Sequence, residues 1–161
     1  MHRILVFNGF YIPAKKYGGP LTSLVNVVDS CSDEYEFYIV AANHDLNEKE
    51  RFDSISSGWN TVGKAKVLYI DLNTIGFGQA ELKEIFDTVK PSLVWIVGIL
   101  VPQSKWNTAA LCRKLNIPFL ISPRGELCTN AMKLKHFKKS VVINLCHLLN
   151  VYDAAYYHAT I

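Results

Sequence analysis

Residues 93–122 read LVWIVGILVPQSKWNTAALCRKLNIPFLIS and contain a strand, a helix and a second strand in succession. Leu93 to Val97 is a continuous apolar run, which is typical of a strand buried on both faces. A helix is predicted from about Pro102 to Leu115, and Phe119 to Ser122 is the next strand. The helix residues expected to face inward are Trp106, Ala110 and Leu111. This order predicts a βαβ unit and a parallel sheet.

The alternation of strands and helices extends towards both ends of the chain. Apolar runs predict further strands at Arg3–Asn8, Tyr35–Ala42, Lys66–Asp71 and Ala154–Ala159. Apolar residues three and four apart predict three more helices, marked by Leu21, Leu24, Val25 and Val28, by Leu82, Ile85, Phe86 and Val89, and by Leu134, Phe137, Val141, Leu145 and Leu148. Residues Asn43 to Gly63 are polar and predict an exposed excursion. The expected fold class is α/β, Rossmann-like, with a mostly parallel sheet and helices on both faces.

The composition is that of a globular domain and excludes several classes of protein. Half of the 161 residues are hydrophobic and 19% are charged, which excludes a disordered chain, a collagen and a coiled coil. The net charge is only +3, so nucleic acid is not an expected partner. Four widely spaced cysteines without a C-x-x-C motif predict reduced thiols in a cytoplasmic protein. No two histidines are spaced four apart, so no metal site is expected.

The motifs of common nucleotide-binding and hydrolytic folds are missing. The loop after the first strand has no G-x-G-x-x-G, and the second strand ends without an acidic residue, which argues against dinucleotide binding. The sequence contains neither G-x-x-x-x-G-K-[ST] nor G-x-S-x-G, which excludes a P-loop enzyme and a nucleophile elbow.

The loop after the first strand is the first candidate binding segment, because ligands of open parallel sheets bind beyond the carboxyl ends of the strands. It contains Tyr17-Gly18-Gly19-Pro20 at the start of a helix. Gly18 and Gly19 would let a ligand approach the backbone, and the helix N-terminus would favour a diphosphate. The alternative is a glycine turn that serves only to start the helix.

The second candidate segment is Pro123–Leu127, which follows the Phe119–Ser122 strand. Arg124 offers a planar fork to a carboxylate or phosphate, and Glu126 would orient that arginine or accept a sugar hydroxyl. The alternative is a surface Arg–Glu ion pair in a turn.

The third feature is a basic stretch between Glu126 and Asp153, where no acidic residue occurs. Its lysines are Lys133, Lys135, Lys138 and Lys139. They predict either the solvated face of a helix or attraction to an anionic membrane surface or a phosphorylated acceptor.

In their order and spacing, several short stretches together resemble the N-terminal domain of family 4 glycosyltransferases, which have the two-domain GT-B fold. The resemblance covers essentially the whole chain. The stretches are Arg3–Val6, Gly9–Pro13, Gly18–Pro20 with Ser23, Lys64–Val67, Pro123–Leu127, Phe137–Lys139 and His158–Thr160.

The resemblance implies a retaining, nucleotide-sugar-dependent glycosyltransferase that needs no metal or other cofactor. In that family the N-terminal domain mainly holds the acceptor, here expected to be a glycan or glycolipid, with Arg124 and Glu126 on the acceptor side. The loop equivalent to Gly18 and Gly19 reaches the donor diphosphate. The catalytic residues stay unassigned. A cytoplasmic location is expected, with peripheral contact at the inner face of the membrane as a further possibility.

The family's second domain holds most of the donor and carries two glutamates separated by seven residues. No two glutamates in this chain have that spacing. We therefore expect residues 1–161 to be a single acceptor-side domain, without the donor domain and inactive alone. The rival interpretations are a stand-alone α/β module that binds a small anion and a domain whose open face docks a partner chain.

Overall fold

The structure is a computed structural model that describes residues 1–71, 78–98, 103–128 and 136–158. Within these ranges the chain forms seven strands and four helices. The strands are β1 (His2–Phe7), β2 (Tyr35–Ala42), β3 (Trp59–Val62), β4 (Ala65–Ile70), β5 (Leu93–Val97), β6 (Phe119–Ser122) and β7 (Tyr156–Tyr157). The helices are α1 (Gly19–Ser30), α2 (Gln79–Val89), α3 (Gln103–Leu115) and α4 (His136–Leu148).

The strands form one sheet in the order β3-β4-β2-β1-β5-β6-β7. Only β3 runs antiparallel to its neighbour, and the other pairs are parallel. From β1 the chain first adds strands on one side and then returns to add β5, β6 and β7 on the other. The strand order therefore reverses between β1 and β5, which is where doubly wound sheets place their ligand crevice. The expected mostly parallel α/β sheet is confirmed.

Helices cover both faces of the sheet. Alternate strand residues point to opposite sides, so each face carries apolar side chains that a helix can bury. Val6 and Ile39 pack on one face with Leu24 of α1. Leu5 and Phe86 belong to the core of the other face, which α2 and α3 cover. Burying an aliphatic side chain of this size stabilises the fold by about 1.5–3 kcal/mol.

Three predicted strands, Tyr35–Ala42, Leu93–Val97 and Phe119–Ser122, begin and end at the predicted residues. The prediction of an exposed excursion over Asn43–Gly63 is wrong in two places. Residues 59–62 form the edge strand β3, and His44 and Asp45 are buried. The segment Asn43–Gly63 thus returns to the sheet through β3, and through Asp45 it anchors the loop between β1 and α1.

The orientation predicted for α3 also needs correction. Trp106 and Leu111 are half-buried against the core, as expected, but Ala110 is exposed. The fully buried side of the helix carries Lys105, Thr108, Ala109 and Cys112. Two of these four residues are polar. The pattern of apolar residues alone therefore predicted the wrong orientation of the helix about its axis.

Helix α4 forms where it was predicted, but its apolar stripe faces outward. Val141, Leu145 and Leu148 are 50%, 38% and 76% exposed. Leu134, also assigned to this stripe, lies outside the described residues, as does Ala159 at the end of the predicted last strand. No helix within the described ranges is long and apolar enough to cross a membrane.

Candidate functional site

Two of the predicted segments, together with the end of β5, come together at the carboxyl edge of the sheet around the β1–β5 reversal. The first segment is the loop from β1 to α1, and the second is the turn after β6. Gly98, directly after β5, donates a 2.8 Å backbone hydrogen bond to the carbonyl of Ser122 and so ties the ends of β5 and β6 together. The candidate site is built on these neighbouring strand ends.

The start of α1 has no side-chain cap. Gly18 is the N-cap residue with φ +68°, a conformation that favours glycine, and its carbonyl accepts the amides of Leu21 and Thr22 at 3.1 and 3.2 Å. A Cβ added to Gly19 would meet no atom within 4 Å. A shallow groove runs along the helix from Gly19 past Ser23. The helix N-terminus therefore presents its positive end to an open surface.

Asp45 anchors the loop that leads to Gly18. Its buried carboxylate accepts the backbone amides of Lys15 at 2.8 Å and Lys16 at 3.2 Å, and that of Leu46 at 2.7 Å. Burial alone would raise the pKa of Asp45, but hydrogen bonds from Lys15, Leu46 and Lys16 outweigh it and hold the pKa below its usual range. A charged Asp45 thus fixes the middle of the loop.

Arg124 connects the turn after β6 to α1. Its Nη1 donates a 2.8 Å hydrogen bond to the hydroxyl of Ser23, and its guanidinium carbon lies 5.7 Å from the ring centre of Trp95. Among the described residues, its Nε is buried without a hydrogen-bond partner. Arg124 has φ +51° and is followed by Gly125 with φ +75°. The Arg124 side chain is half-buried and held by tertiary contacts. An arginine in an exposed Arg–Glu ion pair would have neither feature.

Glu126 points to the other side of that turn, towards β5 and α3. A Cβ added to Gly98 would lie 2.8 Å from a carboxylate oxygen of Glu126 and 2.8 Å from Nζ of Lys105. The ammonium of Lys105 donates to the carbonyls of Val97 and Gly98, the latter at 3.2 Å. Burial lowers the pKa of Lys105 to about 8, and the negative charge of Glu126 counteracts this shift.

Tyr17 lies between the glycine loop and the Arg124 turn. Its ring packs against Phe10 with centroids 4.8 Å apart. Burial raises the pKa of Tyr17, the charge of Glu126 raises it further, and Arg124 opposes the shift. The phenol is therefore protonated at neutral pH and can donate a hydrogen bond at the site.

A chain of hydrogen bonds supports the site from below. The indole Nε1 of Trp95 donates to Ser122 Oγ at 2.8 Å, and Ser122 Oγ lies 3.0 Å from Nδ1 of His158. The serine oxygen has two lone pairs and one proton, so it can accept from the indole and at the same time share a hydrogen bond with Nδ1 of His158. The chain holds the rings of Trp95 and His158 in place at the end of β6.

The basic stretch lies mostly beyond what the structure describes. Lys133 and Lys135 are outside the described residues, and so is the side chain of Lys138. Lys139 lies on α4 and is half-buried. The predicted patch therefore stays a prediction.

Comparison with known proteins gives no family for this chain. No protein-family model matches it, and no curated protein is significantly similar to it. Within the described ranges, no three His, Cys, Asp or Glu side chains are placed to hold a metal ion. The function is therefore argued from the geometry of the site.

The structure brings together Gly18, Gly19, Arg124 and Glu126, all of which the sequence singled out. It adds Lys105, Trp95 and Asp45, which the sequence analysis missed. A signal for Lys105 was present, because it lies three, four and seven residues before Thr108, Ala109 and Cys112, on one side of a helix. For Asp45 no local pattern predicted the contact with residues 29 and 30 positions earlier.

Proposed function

We propose that this chain is the acceptor-side half of a retaining glycosyltransferase, which transfers a sugar from a nucleotide-sugar to a glycan or glycolipid acceptor. One observation carries the proposal. Arg124 is hydrogen-bonded at 2.8 Å to Ser23 near the start of α1, at the reversal of strand order. The bond joins the turn expected beside the acceptor to the helix start expected beside the donor diphosphate. A transferase needs these two substrates next to each other.

The residues of the site suit the charge changes of sugar transfer. The bond between the anomeric carbon and a diphosphate oxygen breaks, with its electron pair going to the diphosphate, and the acceptor hydroxyl oxygen bonds to that carbon while its proton passes to an oxygen of the leaving diphosphate. Negative charge grows on the leaving diphosphate, where the positive end of α1 and the guanidinium of Arg124 stabilise it. Glu126 offers a carboxylate oxygen to a hydroxyl of the acceptor sugar. No residue is assigned as general base.

Amide NMR of the full chain tests the donor part of the proposal. UDP-glucose and GDP-mannose are titrated to about 10 mM, a range that reveals millimolar complexes. We expect shifts of the amides of Gly18 and Gly19 and of the Arg124 side-chain signal. Gly63 should not respond, because it lies before β4, at the opposite edge of the sheet.

Two variants make this test specific. Gly19→Val fills the open space beside the helix start and should abolish the amide shifts while the chain folds, since no atom lies within 4 Å of the position its Cβ would take. Arg124→Gln should weaken the shifts, whereas Arg51→Gln, at an exposed arginine, is the matched control. Shifts that are absent, or that are the same in Arg124→Gln, would contradict the proposal.

The same helix start, which has no side-chain cap, also favours the alternative of a small-anion-binding module. The choice of ligand distinguishes such a module from a transferase half. Such a module should bind inorganic pyrophosphate as well as the nucleotide-sugars, with the same residues shifted and no response to the base or sugar. A transferase half should show additional shifts that depend on the sugar.

We also propose peripheral contact with an anionic membrane, which the outward-facing stripe of α4 supports. The stripe of Val141, Leu145 and Leu148 follows a segment rich in lysine. A helix with an exposed apolar side and nearby basic residues is suited to lie in the interface of an anionic bilayer. Such contact would bring a glycolipid acceptor close to the site.

A further inference from the structure

His158 lies at the carboxyl end of β7, beside the turn that carries Arg124. Its backbone amide donates a 2.8 Å hydrogen bond to the carbonyl of Ile121, so the residue continues the pairing of β7 with β6. The residue is exposed, although its ring packs edge-on against the ring of Trp95, with centroids 6.3 Å apart. The guanidinium of Arg124 approaches the same indole ring at 5.7 Å. His158 and Arg124 are therefore both held against one buried tryptophan.

Two buried side chains fix the imidazole of His158. Trp95 and Ser122 are 5% and 0% exposed, and the indole Nε1 donates to Ser122 Oγ at 2.8 Å. Ser122 Oγ in turn lies 3.0 Å from Nδ1 of His158. An exposed histidine needs no partner in the core, because water satisfies its ring nitrogens. A hydrogen bond at one ring nitrogen commonly orients a histidine that acts through the other nitrogen.

The second ring nitrogen, Nε2, is placed for contact with a ligand. Nδ1 is turned towards the buried serine, so the exposure of His158 falls on the remaining part of the ring, which carries Nε2. Within the described ranges the His158 side chain makes no other hydrogen bond. A neutral imidazole accepts at one nitrogen and donates at the other, and a hydroxyl can do both. A hydroxyl therefore suits Nε2 in either tautomer.

Tyr156 indicates which kind of molecule carries that hydroxyl. Alternate residues of a strand point to opposite sides, and Tyr157 lines a cavity with Cys146 of α4, whereas His158 faces Ser122. Tyr156 therefore shares the side of His158, and it is 66% exposed. An exposed aromatic ring beside hydrogen-bonding groups suits a sugar, because the C–H face of the sugar packs on the ring while its hydroxyls reach the polar groups.

We infer that His158 binds a hydroxyl of the acceptor sugar through Nε2, and that Ser122 is the positioning residue that holds the imidazole for this contact. The inference rests on the proposed function and deepens it by naming a residue that touches the acceptor. Because Arg124 is held against the same tryptophan, a sugar bound by His158 lies beside the turn expected on the acceptor side. An exposed side chain that is fixed before binding loses less conformational entropy when the ligand arrives.

Nitrogen-15 NMR of the histidine rings in the full chain tests the positioning role. Ser122→Ala removes the partner of Nδ1 by deleting a single oxygen, so the ring-nitrogen shifts of His158 should move to the values of His147, which is exposed on α4. The shifts of His147 itself should stay the same and serve as the control. Unchanged ring-nitrogen shifts of His158 in Ser122→Ala would overturn the inference.

The sugar contact is tested with methyl α-D-glucopyranoside and methyl α-D-mannopyranoside, used at about 100 mM because single sugars bind weakly. In the wild-type chain, at least one glycoside should shift the ring signals of His158 and the amide signals of Gly125 and Tyr156.

Two substitutions at position 158 separate a sugar contact from a structural role. His158→Asn places its amide near the position of Nδ1, where it can still bond to Ser122, but has no atom at the position of Nε2. It should reduce the glycoside shifts of Gly125 and Tyr156 about fivefold or more. His158→Gln, whose amide reaches the position of Nε2, should retain more of them. His147→Asn is the matched control and should respond as the wild-type chain does.

The outcomes separate the inference from the proposed function. Loss of the glycoside shifts in His158→Asn, with the nucleotide-sugar shifts at Gly18 and Gly19 retained, supports the sugar contact. Glycoside shifts that are absent in the wild-type chain, equal in His158→Asn, or better retained in His158→Asn than in His158→Gln overturn it. A wild-type chain that shows glycoside shifts but none with nucleotide-sugars would contradict the transferase and still support the sugar contact of His158.

Discussion

Arg124 combines a strained backbone with a tertiary hydrogen bond, and substitutions can separate the two. Arg124→Ala removes the bond to Ser23 and should lower the free energy of unfolding by about 1–2 kcal/mol. Arg124→Gly removes the same side chain but relieves the positive φ of +51°, so it should be about 0.5–1 kcal/mol more stable than the alanine variant. Urea unfolding measures both values.

Ser23→Ala completes a double-mutant cycle for this bond. Combined with Arg124→Ala, it should cost less than the sum of the two single variants. Additive effects would show that Arg124 and Ser23 do not interact, and a glycine variant less stable than alanine would argue against the left-handed conformation.

Lys105 should make the chain more stable as the pH rises from 8 to 10. Burial lowers the pKa of Lys105 to about 8, whereas a lysine in the unfolded chain titrates near 10.4. Between these values the unfolded state binds more protons at this site than the folded state, so Lys105 contributes about 2 kcal/mol more to the free energy of unfolding at pH 10 than at pH 8. Burial raises the pKa of Cys112 and of Tyr11, which opposes this rise, so the contribution of Lys105 is measured as the difference in pH dependence between the wild-type chain and Lys105→Met. Equal pH dependence of unfolding in the two proteins would mean that Lys105 is not buried as a charge.

Among single residues, the sequence predicted those that stand out from their immediate neighbours in the chain. Gly18 and Gly19 precede a helix, and Arg124 stands next to a glycine after a strand, and each has a local reason to be noticed. Asp45 has no such local reason, and Lys105 has only its spacing to the other residues on the buried side of α3. Each satisfies groups brought to it by the tertiary fold, and a lysine or aspartate on an exposed surface would look the same in the sequence.

At the scale of elements, α4 provides a test of membrane contact. Leu145→Ser and Leu148→Ser remove apolar surface at residues that are 38% and 76% exposed, so the free energy of unfolding should fall by no more than about 2 kcal/mol. Binding to vesicles containing anionic lipid should fall several-fold in the double variant and weaken with salt in the wild-type chain. Leu115→Ser, at an exposed leucine of α3, is the matched control. Equal partitioning of wild type and double variant would favour a partner chain as the occupant of the stripe.

The elements that the sequence predicted best are the central parallel strands. They are buried on both faces, so nearly every residue in them is apolar and their limits are visible. The edge strand β3 was missed because Trp59-Asn60-Thr61-Val62 is short and half polar, as expected for a strand with one neighbour. For α4 the spacing of apolar residues correctly predicted a helix. That spacing shows which residues share one side of the helix, but not whether the side packs against the core.

For the molecule as a whole, the order of the strands determines where chemistry can occur. Each parallel connection returns the chain to the same edge, so the loops after β1, β5 and β6 are neighbours, although the first lies about eighty or more residues before the other two in the sequence. The sequence predicted the class of sheet and therefore this edge. It could not predict that Arg124 would bond to Ser23, because that contact depends on the twist and packing of the complete sheet.

The affinity of the 161 residues for nucleotide-sugars should be low. The proposed diphosphate site lies on an open surface, where water would continue to solvate the ligand, and a helix N-terminus contributes only about 0.3–1 kcal/mol there. A charge-assisted bond from Arg124 adds about 1.5–3 kcal/mol, and a millimolar complex already requires about 4 kcal/mol. Calorimetry with a panel of UDP- and GDP-sugars should therefore show dissociation constants of roughly millimolar or weaker, and no sugar transfer by these residues alone. A micromolar complex, or measurable transfer, would mean that both substrates are held within this domain and that its assignment as an acceptor-side half is wrong.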